Sequence, residues 1–211
     1  MVRVVSVMNI FRNMLISAVV LAIFATAGTF FVSYTFDNTI DRINENKRIA
    51  LLKAFHVLIK PSAHDNDIFA DFIQVKDKAL LGIDKTVNIY RARKNSQPVA
   101  VIINSTAPDG YSGNIDLLVA INYDGTLAGV RVVQHKETPG LGDAIDETRS
   151  DWIKQFAGLS LKNPEKSAWA VKRDGGQFDQ FTGATITPRA IIKAIYKTLN
   201  YYQEHRDTLY D

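Results

Sequence analysis

The order of apolar and polar positions divides the chain into distinct stretches. No charged residue falls between Arg12 and Asp37, and the apolar run that starts at Met14 continues to Phe36. That length suffices for a helix to cross a hydrocarbon core. Residues 13–36 are therefore expected as a transmembrane helix behind a short segment, 1–12, which is placed as cytoplasmic because a large polar domain after a single N-terminal span is usually exported. The competing reading is a cleaved signal peptide, since Ala25-Thr26-Ala27 resembles a small-residue cleavage site. Apolar character persists past that site through Phe30, Phe31 and Val32, which favours an uncleaved anchor. Within 38–59, Ile40, Ile43, Ile49, Leu52, Phe55 and Leu58 recur among charged neighbours with a helical period, and Pro61 and Ser62 end the pattern. Residues 37–85 are read as a helical connecting region, ambiguous in its polar second half from Ala63.

From Thr86 the period becomes two. Strands are expected over 88–93, 98–103, 115–121 and 127–133, with turns at 94–97 and at Asp124-Gly125. Asp109-Gly110 and Ser112-Gly113 look like loop chemistry between strands, in a loop from Thr106 to Gly113, with Tyr111 a candidate partner-facing aromatic. Four such strands in succession form an antiparallel meander, which needs a helical layer. The stretch after Gly142 can supply helices through Ile145, Trp152, Ile153 and Phe156, stopped at Gly158. Residues 169–172 are expected as a last strand before Asp174-Gly175-Gly176 turns the chain. The fold class is α+β: a transmembrane helix, then one domain (86–205) with a helix-packed antiparallel sheet, then a C-terminal tail, 206–211.

The densest chemistry lies at 179–188, which reads Asp-Gln-Phe-Thr-Gly-Ala-Thr-Ile-Thr-Pro. Ile191, Ala194, Ile195, Leu199 and Tyr202 follow at helical spacing. Thr187 fits the N-cap of that helix and Pro188 its first position. Thr185 then stands just outside the helix, where a phosphate on its hydroxyl would meet unpaired N–H groups and the positive end of the dipole. Taken alone, the same residues also suit an ordinary capped turn.

The chain has 25 basic and 22 acidic residues, a net charge of +3, and no long basic run, which argues against nucleic acid as a partner. With no cysteine, disulfides, iron–sulfur ligation and thiol nucleophiles are excluded. His56, His64, His135 and His205 show no metal-ligand spacing, and no Gly-x-Ser-x-Gly elbow occurs. Arg3 and Arg12 on one flank of the span and Arg42, Lys47 and Arg48 on the other leave its orientation undecided by the count of basic residues.

Asp179-x-x-Thr182-Gly183-Ala184-Thr185 resembles the flavinylation motif of the FMN-binding domain family. The segment 135–143, reading His-Lys-Glu-Thr-Pro-Gly-Leu-Gly-Asp, resembles the Glu-Thr-Pro-Gly-Leu-Gly signature of one branch. With 105–113 and 169–172, the resemblance narrows to the G subunits of Rnf (also called Rsx) ion-translocating complexes. It is specific from about Pro98 to Leu199 and looser upstream. The C subunit of the sodium-translocating NADH:quinone reductase shares motif and layout and is the nearest competitor.

The resemblance implies a covalent FMN, joined through its phosphate to Thr185 by a separate flavin transferase, with Thr187 the fallback site. It implies a single-pass protein of the bacterial inner membrane, its main domain on the periplasmic side among the other membrane subunits of the complex. It would relay electrons between membrane partners of a complex that couples electron transfer between ferredoxin and NAD to ion movement, with no turnover alone and no acid–base catalysis of its own. Gly140 and Gly142 would let backbone approach a flat ligand, or simply make a turn. Glu137 and Thr138 are candidate polar contacts, and Leu141 a candidate for a ring face. Lys172 could pair with the phosphate or be solvated surface, and Asp179 could serve attachment or only a local turn. A reading of another class remains: a flavin-free exported binding or assembly module.

Overall fold

The computed structural model describes residues 2–210; Met1 and Asp211, the outer ends of the expected N-terminal segment and C-terminal tail, lie outside them. The chain forms two compact units that divide between Leu51 and Leu52. The described residues of the first are all helical. Helix α1 covers Val2–Leu58, so the expected span and the expected amphipathic helix are one element. From Ile10 to Phe36 its large apolar side chains are exposed, Leu21 and Phe24 by about 70%. The hydroxyls of Thr26 and Thr29 donate to the carbonyls of Ala22 and Ala25, each at 2.8 Å. A polar group that returns to its own backbone in this way needs no water, as a lipid-facing helix requires.

The second unit is built on a five-stranded antiparallel meander in the order β1-β2-β3-β4-β5. Its strands are β1 Phe72–Val75, β2 Val87–Lys94, β3 Gln97–Gly110, β4 Gly113–Asn122 and β5 Leu127–Gln134, with the short helix α2, Lys78–Leu81, between β1 and β2. The expected meander is present, with an extra edge strand drawn from the region read as helical connection. The folded unit thus starts well before position 86.

The strands alternate between two buried faces. Ile89, Val101, Ile103, Leu117, Val119, Ile121 and Val130 face one core with Ile191, Ile195, Leu199 and Tyr202 of helix α3, Ile186–His205. The intervening Tyr90, Ala100, Ile102, Leu118 and Ala120 are buried as well. That second face meets the end of α1, where Phe55 and Tyr90 place their rings 4.7 Å apart. Burial on both faces explains why the central strands read as nearly continuous apolar runs.

Several expectations differ from the structure. β3 does not stop at Ile103 but continues to Gly110, so the stretch from Thr106 to Gly113 is a strand and a tight hairpin turn rather than a loop. The register shifts between Ala107 and Gly110, and this irregularity absorbs Pro108, which has no N–H for the ladder. The segments after Gly142 are 3-10 turns, Gly142–Ile145 and Trp152–Phe156, not α-helices. Local side chains compete for the backbone there: Ser150 Oγ donates to Ala144 O at 2.6 Å, and Asp146 Oδ1 accepts from Thr148 N–H at 2.8 Å. The turns still deliver Ile145, Ile153 and Phe156 to the core, but α3 is the main helical layer. Residues 169–172 form no strand; a single parallel bridge joins Val171 to Phe178. Near the C-terminus Leu209 is buried and Tyr210 O accepts from Arg93 Nη2 at 2.6 Å.

An aromatic cluster ties the irregular segments together. Phe156 lies 4.8 Å from Phe178 and 5.3 Å from Trp152, centroid to centroid, and Trp169 packs on Phe178 at 5.5 Å. Phe156→Ala is expected to cost about 3–5 kcal/mol. Urea unfolding of the detergent-solubilised chain, followed by the emission of Trp152 and Trp169, checks this. Phe72→Ala, at a side chain 41% exposed, should leave the midpoint nearly unchanged.

Candidate functional site

The 179–188 segment is positioned from both ends. Phe178 is held in the aromatic cluster, and Trp152 Nε1 donates to Asp179 O at 2.8 Å while its ring meets Phe181 at 5.1 Å. Phe181 and Ala184 then bridge across an exposed turn at Thr182 and Gly183. Gly183 has φ +81°, and a Cβ there would sit 3.3 Å from Leu141 Cδ2. Conformation and contact thus both favour glycine.

Helix α3 begins two residues earlier than the capping pattern suggests. Its first residue is Ile186, so Thr185 occupies the N-cap position, in αR conformation and without a side-chain cap bond. Pro188 is the third helical residue; its missing N–H still falls among the orphans of the first turn. Thr187 is not a cap at all. It is fully buried, and its hydroxyl donates to Glu137 Oε2 in a very short hydrogen bond. The apolar periodicity of the helix decides this register, because it turns position 187 inward.

Glu137 completes the arrangement. Its side chain is 4% exposed, and its other oxygen, Oε1, accepts from Ser112 N–H at 2.9 Å. One carboxylate therefore links the tip of the β3–β4 hairpin to the start of α3. Gly142 makes the approach possible: a Cβ at that position would lie 2.8 Å from Glu137 Oε2 and 3.0 Å from Thr187 Oγ1. The 138–142 loop closes on itself, with Leu141 and Gly142 N–H donating to Thr138 O at 3.1 Å.

These three segments enclose a cleft of about 350 Å³. Of the residues singled out from sequence, Glu137, Thr138, Leu141, Gly142, Gly183, Ala184, Thr185 and Thr187 line it together. Gly140 shapes the loop outside the lining, at φ +77°, its N–H on Asp143 Oδ1 at 2.8 Å. Thr182 stays on the exposed turn. Lys172 pairs with Asp179 at 2.6 Å, both more than half exposed, and neither lines the cleft. Tyr111 and Ile186 line it without having been foreseen as site residues. Tyr111 sits on the two-residue hairpin turn, and only the Ser112–Glu137 bond reveals that this turn overhangs the 137–142 loop.

No lysine or arginine lines the cleft. Of its walls only the start of α3 is electropositive, through the first amides of the helix, and no described side chain accepts from the N–H of Ile186 or Thr187. Nearby, Arg189 grips Asp174 through two bonds of 2.6 and 2.7 Å, and this holds the Asp174 carboxyl below the usual carboxylate range. Among the described residues, no three His, Asp or Glu side chains gather as metal ligands. The site can thus hold an anion at a helix N-terminus and a partly enclosed flat group against Leu141, Ile186 and Tyr111.

Comparison with known proteins gives consistent matches. Residues 110–200 match the model of the FMN-binding domain, and residues 8–58 that of the RnfG N-terminal region. Three relatives are each named as the G subunit of an ion-translocating oxidoreductase complex. The protein from Pseudomonas aeruginosa is 46% identical over 94% of this chain and 92% of its own. That from Aliivibrio fischeri is 44% identical over 92% of each. That from Shewanella loihica is 42% identical over 94% of this chain and 93% of its own.

Gly142→Ala must push against the buried Glu137 side chain and Thr187 hydroxyl, which are bonded to each other. A loss of about 1–3 kcal/mol is expected, read as a lowered unfolding midpoint in urea. A midpoint equal to that of the unaltered chain would contradict the close packing described.

Proposed function

The chain belongs to the family of G subunits of ion-translocating oxidoreductase complexes, and from that premise we propose that it carries one FMN joined through its phosphate to Thr185. The observation that carries this reading is the state of two threonines two residues apart. Thr187 is buried with its hydroxyl committed to Glu137. Thr185 is half-buried, lines the cleft, and forms no cap bond. A phosphate on its oxygen would replace the missing cap and stand at the positive end of α3. Thr187 is accordingly a poor fallback site.

Other features fit the group. Gly142 and Gly183 are places where a Cβ would crowd the cleft wall. The cleft volume is at the small end of ligand sites, which suits a flavin enclosed only in part. FMN supplies the ability to accept and pass on electrons singly or in pairs. The chain's own residues do the rest: Thr185 holds the phosphate, the first amides of α3 neutralise it, and Leu141, Ile186 and Tyr111 exclude water. Phosphate attachment fixes the cofactor at high local concentration outside the cytoplasm.

In this proposal the compact unit lies on the periplasmic side of the bacterial inner membrane, anchored by α1. It passes electrons between other membrane subunits of an Rnf-type complex working between ferredoxin and NAD. A separate flavin transferase makes the bond, and the exposed Asp179–Lys172 pair at the head of the motif is a surface it could grip. The names of the relatives favour this over the C subunit of the quinone reductase.

Mass spectrometry of the chain co-expressed with a flavin transferase is expected to show one added FMN less one water, on the peptide that contains Thr185. Thr185→Val should abolish the addition and Thr187→Val should leave it at Thr185. A flavin found on Thr187, or a peptide of unmodified mass from an active co-expression, would overturn the reading; the latter would leave a flavin-free module.

A further inference from the structure

The Glu137 side chain is 4% exposed, yet both of its oxygens accept hydrogen bonds from uncharged donors, Ser112 N–H and the Thr187 hydroxyl. Double acceptance is the pattern of an ionised carboxylate. Among the described residues no lysine, arginine or histidine pairs with it. The neighbouring His135 does not compensate either, because its Nδ1 accepts from Glu137 N–H at 3.1 Å. The cleft that Glu137 lines holds no lysine or arginine. A buried charge without a cation is costly, and such groups concentrate where a site needs them. The carboxylate is held at both oxygens by the bonds from Ser112 and Thr187 and lies close against Gly142, where a Cβ would sit 2.8 Å from Oε2.

We propose that Glu137 sets the reduction potential of the cleft by holding a fixed negative charge in its wall. The inference rests on the reading that FMN occupies this cleft. Each electron that enters a ring there without a proton adds negative charge to a low-dielectric pocket already facing a carboxylate. The repulsion disfavours reduction, while the two hydrogen bonds from Ser112 and Thr187 keep the carboxylate in place. Neutralising Glu137 without changing its size removes the repulsion. Gln preserves the shape, with its oxygen on Ser112 N–H and its amide turned to Thr187 Oγ1.

The test uses the full chain matured with a flavin transferase and purified in detergent. Dithionite titration in the presence of redox mediators, followed by visible absorption, gives the midpoint potential; dithionite is oxidised as the flavin takes up its electrons. Glu137→Gln and Glu137→Met are each expected to favour reduction by about tenfold or more, a rise of about 59 mV for a one-electron step. Asp109→Asn makes the same change of charge at an exposed residue paired with Lys193, outside the cleft, and is expected to leave the potential unchanged. A flavinylated neutral variant with the parent's potential, or a lower one, overturns the proposal. So does failure of both neutral variants to take up FMN while Asp109→Asn does, since Glu137 would then serve attachment and not tuning. An unmodified Thr185 in the parent chain is a different result: it removes the FMN reading itself, and this inference with it.

Discussion

Everything at the cleft depends on one buried hydrogen bond, from the Thr187 hydroxyl to the Glu137 carboxylate beneath Gly142. It joins α3 to a loop 50 residues earlier in the chain. Through Ser112 the same carboxylate reaches the β3–β4 hairpin. Without it the cleft would lose a wall, and two similar hydroxyls would compete at the helix start. With it, one hydroxyl is taken and buried, and the other is left free beside uncapped amides. A single contact thereby defines both the shape of the site and the chemistry available in it.

The rest of the unit serves to hold that contact in register. The sheet is buried on both faces, so neither β3 nor β4 can slip by a residue without turning a row of apolar side chains to the wrong layer. Helix α3 is fixed by Ile191, Ile195, Leu199 and Tyr202, all buried, and this sets Thr187 inward and Thr185 at the rim. The aromatic cluster of Phe156, Trp169 and Phe178 then fixes the approach to the helix. A phosphate held at the N-terminus of this helix, as proposed, would be held by the domain as a whole.

Much of this was legible in the sequence, for identifiable reasons. The span, the central strands and α3 carry strong apolar periodicity, and the two glycine-bearing motifs that meet at the cleft have recognisable residue orders. What was not legible depended on tertiary contact. β1 is four residues long at a sheet edge and has too short a pattern to announce itself. The 3-10 turns after Gly142 follow from side chains of Asp146 and Ser150 that compete with helix formation locally. The cap assignment failed because a threonine before a proline looks like an N-cap, while burial of its hydroxyl on a distant glutamate cannot be seen from spacing. For Lys172 spacing left phosphate pairing and solvated surface both open, and its pairing with Asp179 is a tertiary contact that spacing does not show. Tyr111 gave no sign of belonging to the site, since its place depends on how a hairpin folds over a loop.

The central claim is that the Thr185 oxygen, and not a free phosphate group, completes the flavin's link to the protein. Phosphorus NMR of the matured full-length chain tests it most directly, because a phosphate monoester titrates near about pH 6 and a diester does not. The account predicts one protein-bound resonance whose shift stays constant from about pH 5 to about pH 8, across the monoester range. A bound resonance that moves through that range, or none at all on a protein matured with an active transferase, would contradict it.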